Sequence, residues 1–215
     1  MVRPSVTDGW LSDHASQEVE ADDAAAYVDA ATVALRFSSI QLDAGATQDP
    51  RSFETATPRS LRDAMGCLAT GVCVITTFWE GDDVAMTANS VTSVSLEPPL
   101  ILVCIAKTAR FYEAIIEAEQ WGVSVLDATS HALSTQFARP GRERNGQLEA
   151  IRFDRGPATG VALISSSVAQ VECETSAVYP AGDHDIIVGA VRTVSRSGPG
   201  QHPLLFHRGG YRWLL

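Results

Sequence analysis

The chain has 215 residues, 45% of them hydrophobic, and sets 16 basic against 26 acidic side chains for a formal net charge of −10. That size and apolar content suit one cored domain with an appendage. The acidic balance excludes nucleic acid as a general partner, because neutralising a phosphate backbone needs a surface rich in Lys and Arg.

No apolar run reaches the ~20 residues of a membrane-spanning helix, and the N-terminus lacks the basic-then-apolar pattern of a secretory leader. The cysteines are Cys67, Cys73, Cys104 and Cys173, with no C-x-x-C pair and no His at zinc-finger spacing. The last three lie in or beside apolar runs and read as buried free thiols. A soluble cytoplasmic protein without a metal site is expected.

Charge divides the chain. Residues 1–50 hold nine acidic and two basic side chains, which leaves −3 for residues 51–215. Within Glu18–Phe37, Val19, Tyr27, Ala30, Ala31, Ala34 and Leu35 fall near helical spacing. The segment is either one amphipathic helix or a disordered acidic stretch with transient helicity. Asp43–Thr57 reads as a linker. The expected division is an acidic extension over 1–52 and a folded domain over 53–215.

Thr57-Pro58-Arg59-Ser60 offers a cap residue followed by Pro at the first helical position. Leu61, Ala64, Met65 and Leu68 then repeat at helical spacing up to Gly71. Strands are expected at Val72–Phe78 and Val84–Ala88 around a Glu80–Asp83 turn, then at Val91–Leu96. Glu97-Pro98-Pro99 breaks the run before Leu100–Ala106, a continuous apolar strand. Phe111–Glu119 reads as a helix with Ile115 and Ile116 inward, Trp121–Leu126 as a strand, and Ser130–Ala138 as a short helix. Val161–Leu163, Val168–Val178, Asp185–Ser195, Leu204–His207 and Tyr211–Leu215 complete the strands.

Many short strands with few helices point to a mainly β fold with flanking helices, closed as an antiparallel barrel. Neither G-x-G-x-x-G after a strand nor G-x-x-x-x-G-K-[ST] occurs, so a nucleotide must be held by other means.

Three stretches carry candidate chemistry. Met86–Ser95 is rich in short hydroxyl and amide side chains that leave backbone N–H groups accessible. It suits the polar edge of a planar heterocycle, or is a half-exposed Thr/Ser strand. Lys107-Thr108-Ala109-Arg110 precedes a helix and places two cations and a hydroxyl where the helix dipole favours an anion; a solvated loop is the alternative. His184, in Gly182-Asp183-His184-Asp185, is flanked by carboxylates that favour its charged form if they are close. It is a site residue or a structural one. No Ser-His-Asp or Cys-His set assembles.

Taken in order, these residues resemble the short-chain flavin reductase family, which includes the reductase components of two-component flavin monooxygenases. The likeness runs from Phe53 to Leu215. It is carried by Leu61–Thr77, Met86-Thr87-Ala88-Asn89-Ser90, Thr92–Leu100, Gly182-Asp183-His184, and Pro203-Leu204-Leu205 with Arg208-Gly209.

The resemblance implies a split β-barrel of the FMN-binding, flavin reductase-like type, a homodimer, and FMN or FAD held between subunits. Thr87, Ala88, Asn89 and Ser90 match positions lining the flavin ring and ribityl chain. Ser93, Val94 and Ser95 match the strand facing the ring edge, and Lys107, Thr108 and Arg110 the phosphate stretch. Phe137 and Ala138 match a loop near the flavin, and His184 the histidine near the nicotinamide of NADH or NADPH. The implied activity is hydride transfer from reduced nicotinamide to flavin, with reduced flavin diffusing to a partner monooxygenase.

The chain departs from the family pattern at Val91, where an aromatic residue is usual. It departs again over Arg139–Arg155, which carries five arginines and lacks the usual Asp-Arg-Phe. The rival expectations are a split-barrel oxidase of the pyridoxamine-phosphate type, and a non-enzymatic flavin-binding interaction protein.

Overall fold

The structure is a computed structural model and describes residues 53–141, 146–198 and 200–213. The helix expected within Glu18–Phe37, and the rest of the extension over 1–52, lie outside the described residues. The chain divides into two units, and everything below concerns the second, Thr55–Leu215.

Twelve strands and three helices are described. Helix α1 (Pro58–Met65) begins as its sequence dictates: the Thr57 hydroxyl accepts from the Ser60 N–H at 3.1 Å, and Ser60 Oγ accepts from the Thr57 N–H at 2.9 Å. This reciprocal cap satisfies donors that the first turn leaves over. The helix stops at Met65, six residues before Gly71. Its apolar repeat faces solvent, with Leu61, Met65 and Leu68 all more than half exposed.

β1 (Thr70–Gly71) pairs with β11 (Leu205–His207), which pairs with β12 (Gly210–Arg212). The main sheet contains β2 (Cys73–Trp79), β3 (Asp82–Ala88), β4 (Thr92–Leu96), β5 (Pro99–Ala106), β6 (Gln120–Leu126), β9 (Ser167–Ala181) and β10 (His184–Arg196). Helix α2 (Phe111–Ala118) joins β5 to β6, and α3 (His131–Ala138) follows β6. A small pair, β7 (Phe153–Arg155) and β8 (Ala162–Ile164), packs beside it. The sequence reading missed β7: three residues with one large apolar side chain carry too little periodicity.

The seven-stranded sheet is antiparallel throughout, in the order β3-β2-β6-β9-β10-β5-β4. Its two edge strands are consecutive in the chain, separated only by Asn89-Ser90-Val91. Seven strands laid flat at ~4.8 Å spacing would set the edges about 29 Å apart, whereas the four Cα steps from Ala88 to Thr92 reach about 14 Å at most. The sheet therefore has to curl until its edges approach. Ser90 sits at the seam, where its hydroxyl donates to the Cys104 carbonyl on β5 at 2.9 Å and accepts from the Cys104 N–H at 3.3 Å.

Two cores flank the curled sheet. Inside lie Ile75, Val103, Ile105, Trp121 and Ile187, closed by Phe111, Ala114 and Ile115 of α2. Outside, Val74, Ala85 and Leu126 pack with Phe137, Leu148, Ile164 and Leu204. β2 is thus buried on both faces, and its two threonines, Thr76 and Thr77, donate their hydroxyls to the Ala162 and Gln120 carbonyls. Gly189 is required on β10, where a Cβ would stand 2.4 Å from Trp121 Cζ2 and 2.8 Å from Cys173 Cβ.

Cys73 and Cys173 are buried, and burial pushes both thiols up to about 12, so they pack as inert hydrophobes. Cys104 is only half-buried, in contrast to the expectation for it, because it lies at the seam beside Ser90; Cys67 is exposed.

Among the described residues one carboxylate is fully buried. Glu172 on β9 accepts from the Thr159 hydroxyl at 2.7 Å, from the Thr159 and Ala158 N–H groups at 2.8 and 3.1 Å, and from the Thr193 hydroxyl. Burial raises its pKa, but these donors outweigh burial and hold it below the ordinary carboxylate range. A depressed folded-state pKa gives stability that is present above the unfolded value of about 4.3 and is lost as pH falls through the folded value. Glu172→Gln turns an acceptor of four bonds into a group with its own donors. It should cost about 2–3 kcal/mol and lower Tm by about 5–10 °C at pH 7. Thermal melts of both forms from pH 3 to 7 check this, and the difference should shrink at the acid end.

Candidate functional site

The strand ends nearest the seam converge on a cleft of about 690 Å³. One wall is Val84–Thr87 of edge strand β3. The second is Thr108–Phe111, the turn from β5 into α2, and the third is Phe137–Gly141, the end of α3 and the turn after it, with Gln147. Two smaller hollows, of about 330 and 210 Å³, hold none of the residues singled out from the sequence.

The structure brings Thr87, Thr108, Arg110, Phe137 and Ala138 together on this cleft. Each wall follows from local sequence. Thr87 is positioned by β2–β3 pairing, opposite Val74, and its hydroxyl donates to the Ser134 carbonyl of α3 at 2.7 Å. The Thr108–Phe111 turn is wound by the Ala109 and Tyr112 N–H groups, which donate to the Ala106 and Ala109 carbonyls at 2.9 and 3.0 Å. Phe137 is anchored in the outer core. The Ser134 and Tyr211 hydroxyls lie 2.9 Å apart, tying α3 to the C-terminal hairpin.

The other residues singled out do not line the cleft. Ala88 is buried, and the Asn89 amide donates to the Thr70 hydroxyl at 3.3 Å. Ser90 serves the seam. Ser93, Val94 and Ser95 lie on edge strand β4, where Ser95 Oγ accepts from the Glu97 N–H at 3.2 Å across the β4–β5 turn.

Lys107 immediately precedes the cleft wall, but its ammonium donates to the Gly182 carbonyl at 2.9 Å and lies 3.3 Å from Asp185 Oδ1. His184 opens β10 opposite Ala106, with Nδ1 2.8 Å from Asp183 Oδ1. The hydrogen bond and charge of His184 hold the Asp183 carboxyl low. His184 thus engages one of its two flanking carboxylates; the other, Asp185, turns inward to Tyr112. Gly182, at φ 67°, makes that turn tight.

Sequence reasoning missed Gln147, whose side chain accepts from the Ala85 N–H of the edge strand at 3.0 Å. Nothing local marks it; only its bond to β3 puts it there. Arg139-Pro140-Gly141, at the start of the stretch that departs from the family pattern, also lines this wall.

Fit to a flavin nucleotide follows from these walls. The volume lies within the range of about 300–1,000 Å³ usual for ligand clefts. Val84, Met86 and Phe137 offer apolar surface to a ring system, while the Thr108 hydroxyl and Arg110 guanidinium stand at a helix start where an anion is favoured.

A split antiparallel barrel with a cleft at its seam, lined by apolar side chains and by Arg110 and Arg139, defines a barrel class suited to a planar, phosphate-bearing ligand. The chain belongs to the flavin reductase-like domain family, whose profile matches residues 65–215.

It is 42% identical over 159 residues to a probable flavin reductase of Rhizobium meliloti, covering 74% of this chain and 49% of that protein, so the match spans about half the relative's length. The NADH:FAD oxidoreductase of Streptomyces globisporus superposes with a TM-score of 0.71 at 35% identity, covering 78% of this chain and 99% of that one. The flavin reductase component of a bacterial two-component tryptophan halogenase gives 0.69 at 40% identity, covering 74% and 98%. Further relatives are named as NADH-dependent reductases of FMN or of FAD. Among the described residues no helix is long and apolar enough to cross a membrane.

The Thr87–Ser134 bond is a polar tie between β3 and α3 beside the cleft. Thr87→Val keeps the shape and removes the donor, so the Ser134 carbonyl keeps only its intrahelical bond. Loss of about 1 kcal/mol is expected, read as a lower urea midpoint with an unchanged m-value.

Proposed function

We propose that the domain is an NAD(P)H:flavin oxidoreductase that binds FMN or FAD in the seam cleft and reduces it with NADH or NADPH. The carrying observation is the meeting of β3, the Thr108–Phe111 turn and the end of α3 around one cleft, in a chain of this family. When bound, the flavin supplies the two-electron acceptor for the nicotinamide hydride, chemistry that no protein side chain provides.

The chain's own residues bind and orient. Arg110 and Thr108 hold the flavin phosphate, and Lys107 adds positive charge beside them. Val84, Met86 and Phe137 exclude water from the ring system, with Thr87 beside them on β3. With Nδ1 engaged by Asp183, His184 presents Nε2 to position the nicotinamide. Tyr112, Glu172 and the buried thiols stay outside the reaction.

Two copies complete the site. β4 is an edge strand whose Val94 and Leu96 are 47% and 89% exposed. A homodimer that covers this edge brings Ser93, Val94 and Ser95 towards a bound flavin. The reduced flavin then diffuses to a partner monooxygenase, a role supported by a relative that is the reductase component of a two-component halogenase. Family membership favours this reading over a pyridoxamine-phosphate-type oxidase or a non-enzymatic binding protein.

Purified protein should oxidise NADH or NADPH at 340 nm only when FMN, FAD or riboflavin is added. Folded protein that turns over none of the six pairings overturns the reductase reading. Arg110→Ala removes one charge-assisted contact, worth roughly 1.5–3 kcal/mol. FMN affinity should fall about tenfold or more, with riboflavin, which has no phosphate, nearly unaffected in the same fluorescence titration.

A further inference from the structure

The Thr108–Phe111 wall carries no side-chain cap: the residue before α2, Arg110, makes no capping bond. It is bracketed instead by its neighbours. Lys107 directly precedes Thr108, Tyr112 directly follows Phe111, and both reach the same group. The Tyr112 hydroxyl donates to Asp185 Oδ2 at 2.5 Å, and the Lys107 ammonium lies 3.3 Å from Asp185 Oδ1.

Asp185 is itself fixed. It is 6% exposed and sits within β10, paired with Ile105 on one side and Pro180 on the other. Among the described residues Oδ1 accepts no aligned hydrogen bond, so the Lys107 charge is its sole close partner. Two further bonds reinforce the bracket: the Lys107 N–H donates to the Asp183 carbonyl at 3.0 Å and its ammonium to the Gly182 carbonyl at 2.9 Å. The β9–β10 turn and the β5–α2 turn are stapled through one carboxylate that does not line the cleft.

We propose that Asp185 is a positioning residue that clamps both ends of the Thr108–Phe111 wall and thereby sets the cleft's affinity for the phosphate of its flavin. The proposal rests on the reading that this wall takes the phosphate. The ion pair is a poor source of stability, because the Lys107 side chain is 40% exposed and solvent screens its charge. It does fix direction: the carboxylate holds the ammonium at one end of the turn and the phenol at the other. With the clamp intact, Thr108 and Arg110 meet a phosphate without first being ordered, and the ordering cost is removed from binding.

The test titrates full-length wild type, Tyr112→Phe and Asp185→Asn with FMN and with riboflavin, and records the Tm of each protein. Tyr112→Phe removes one arm and keeps the charge; Asp185→Asn keeps an acceptor for Tyr112 and releases Lys107. The FMN Kd should rise about tenfold in each variant while the riboflavin Kd moves less than about twofold, and Asp185→Glu should recover part of the preference. Loss of core stability alone would not change the ratio between the two ligands.

An unchanged FMN-to-riboflavin ratio in folded Tyr112→Phe overturns the clamp, as does equal weakening of both ligands alongside a fall in Tm. If Asp185→Asn does not fold, Tyr112→Phe decides. Wild type that shows no preference for FMN over riboflavin removes the phosphate reading itself, and the clamp with it, before any variant is compared.

Discussion

Everything in this domain depends on the short link between two strands at opposite edges of one sheet. β3 and β4 stand six strand positions apart in the sheet order, and three residues join them. Hydrogen bonding across the other five strands is satisfied only if the sheet curls until its edges meet. Curling brings the two edges close without pairing them, and β4 stays largely exposed. It also creates a seam where ladder bonding is incomplete and side chains take over, as Ser90 does for Cys104.

The seam is where the cleft forms, and the reason is packing. The barrel interior is filled by Trp121, Ile75, Ile105 and Ile187 and by the apolar face of α2, so no ligand-sized space remains inside. The outer face of β2 and β6 is covered by α3, the β7–β8 pair and the C-terminal segment. Between these two coverings, alongside β3, lies an edge that neither helix fully closes. Ligand space is left over where two layers of core end, with the start of α2 on one side and the end of α3 on the other.

Buried polar groups then fix details that hydrophobic packing leaves loose. Glu172 gathers the Ala158–Thr159 turn and Thr193 around one carboxylate, and the lack of a side chain on Gly156 makes room for it, since a Cβ there would stand 2.1 Å from Oε1. Asp185 does the same for the turn beside the cleft. Its Tyr112 bond holds the carboxyl low, burial opposes this, and Lys107 adds to the lowering, while the same bond raises the Tyr112 phenol. Both carboxylates remain ionised near neutral pH, and each links segments distant in sequence.

The sequence by itself determined most of the elements and their order, with the short β1 and β7 left out. Alternation and apolar runs of five to eight residues are local signals, and so are the Thr57–Ser60 cap, the Gly182 turn and the Glu97-Pro98 break; each works through backbone preference within a few residues. The family motif at Met86–Ser90 was equally legible, as was the cationic turn at Lys107–Arg110. Tertiary structure alone decided which of these residues meet. Lys107 and Arg110 look alike in the sequence, yet Lys107 turns to Asp185, 78 residues on, while Arg110 lines the cleft. Gln147 reaches the cleft from a turn with no distinguishing pattern. The apolar stripe of α1 reads as core but lies exposed. The physical reason is common to all three: a side chain's partner depends on strand register and on which layer covers which face, and those are settled by contacts between segments that no local window contains.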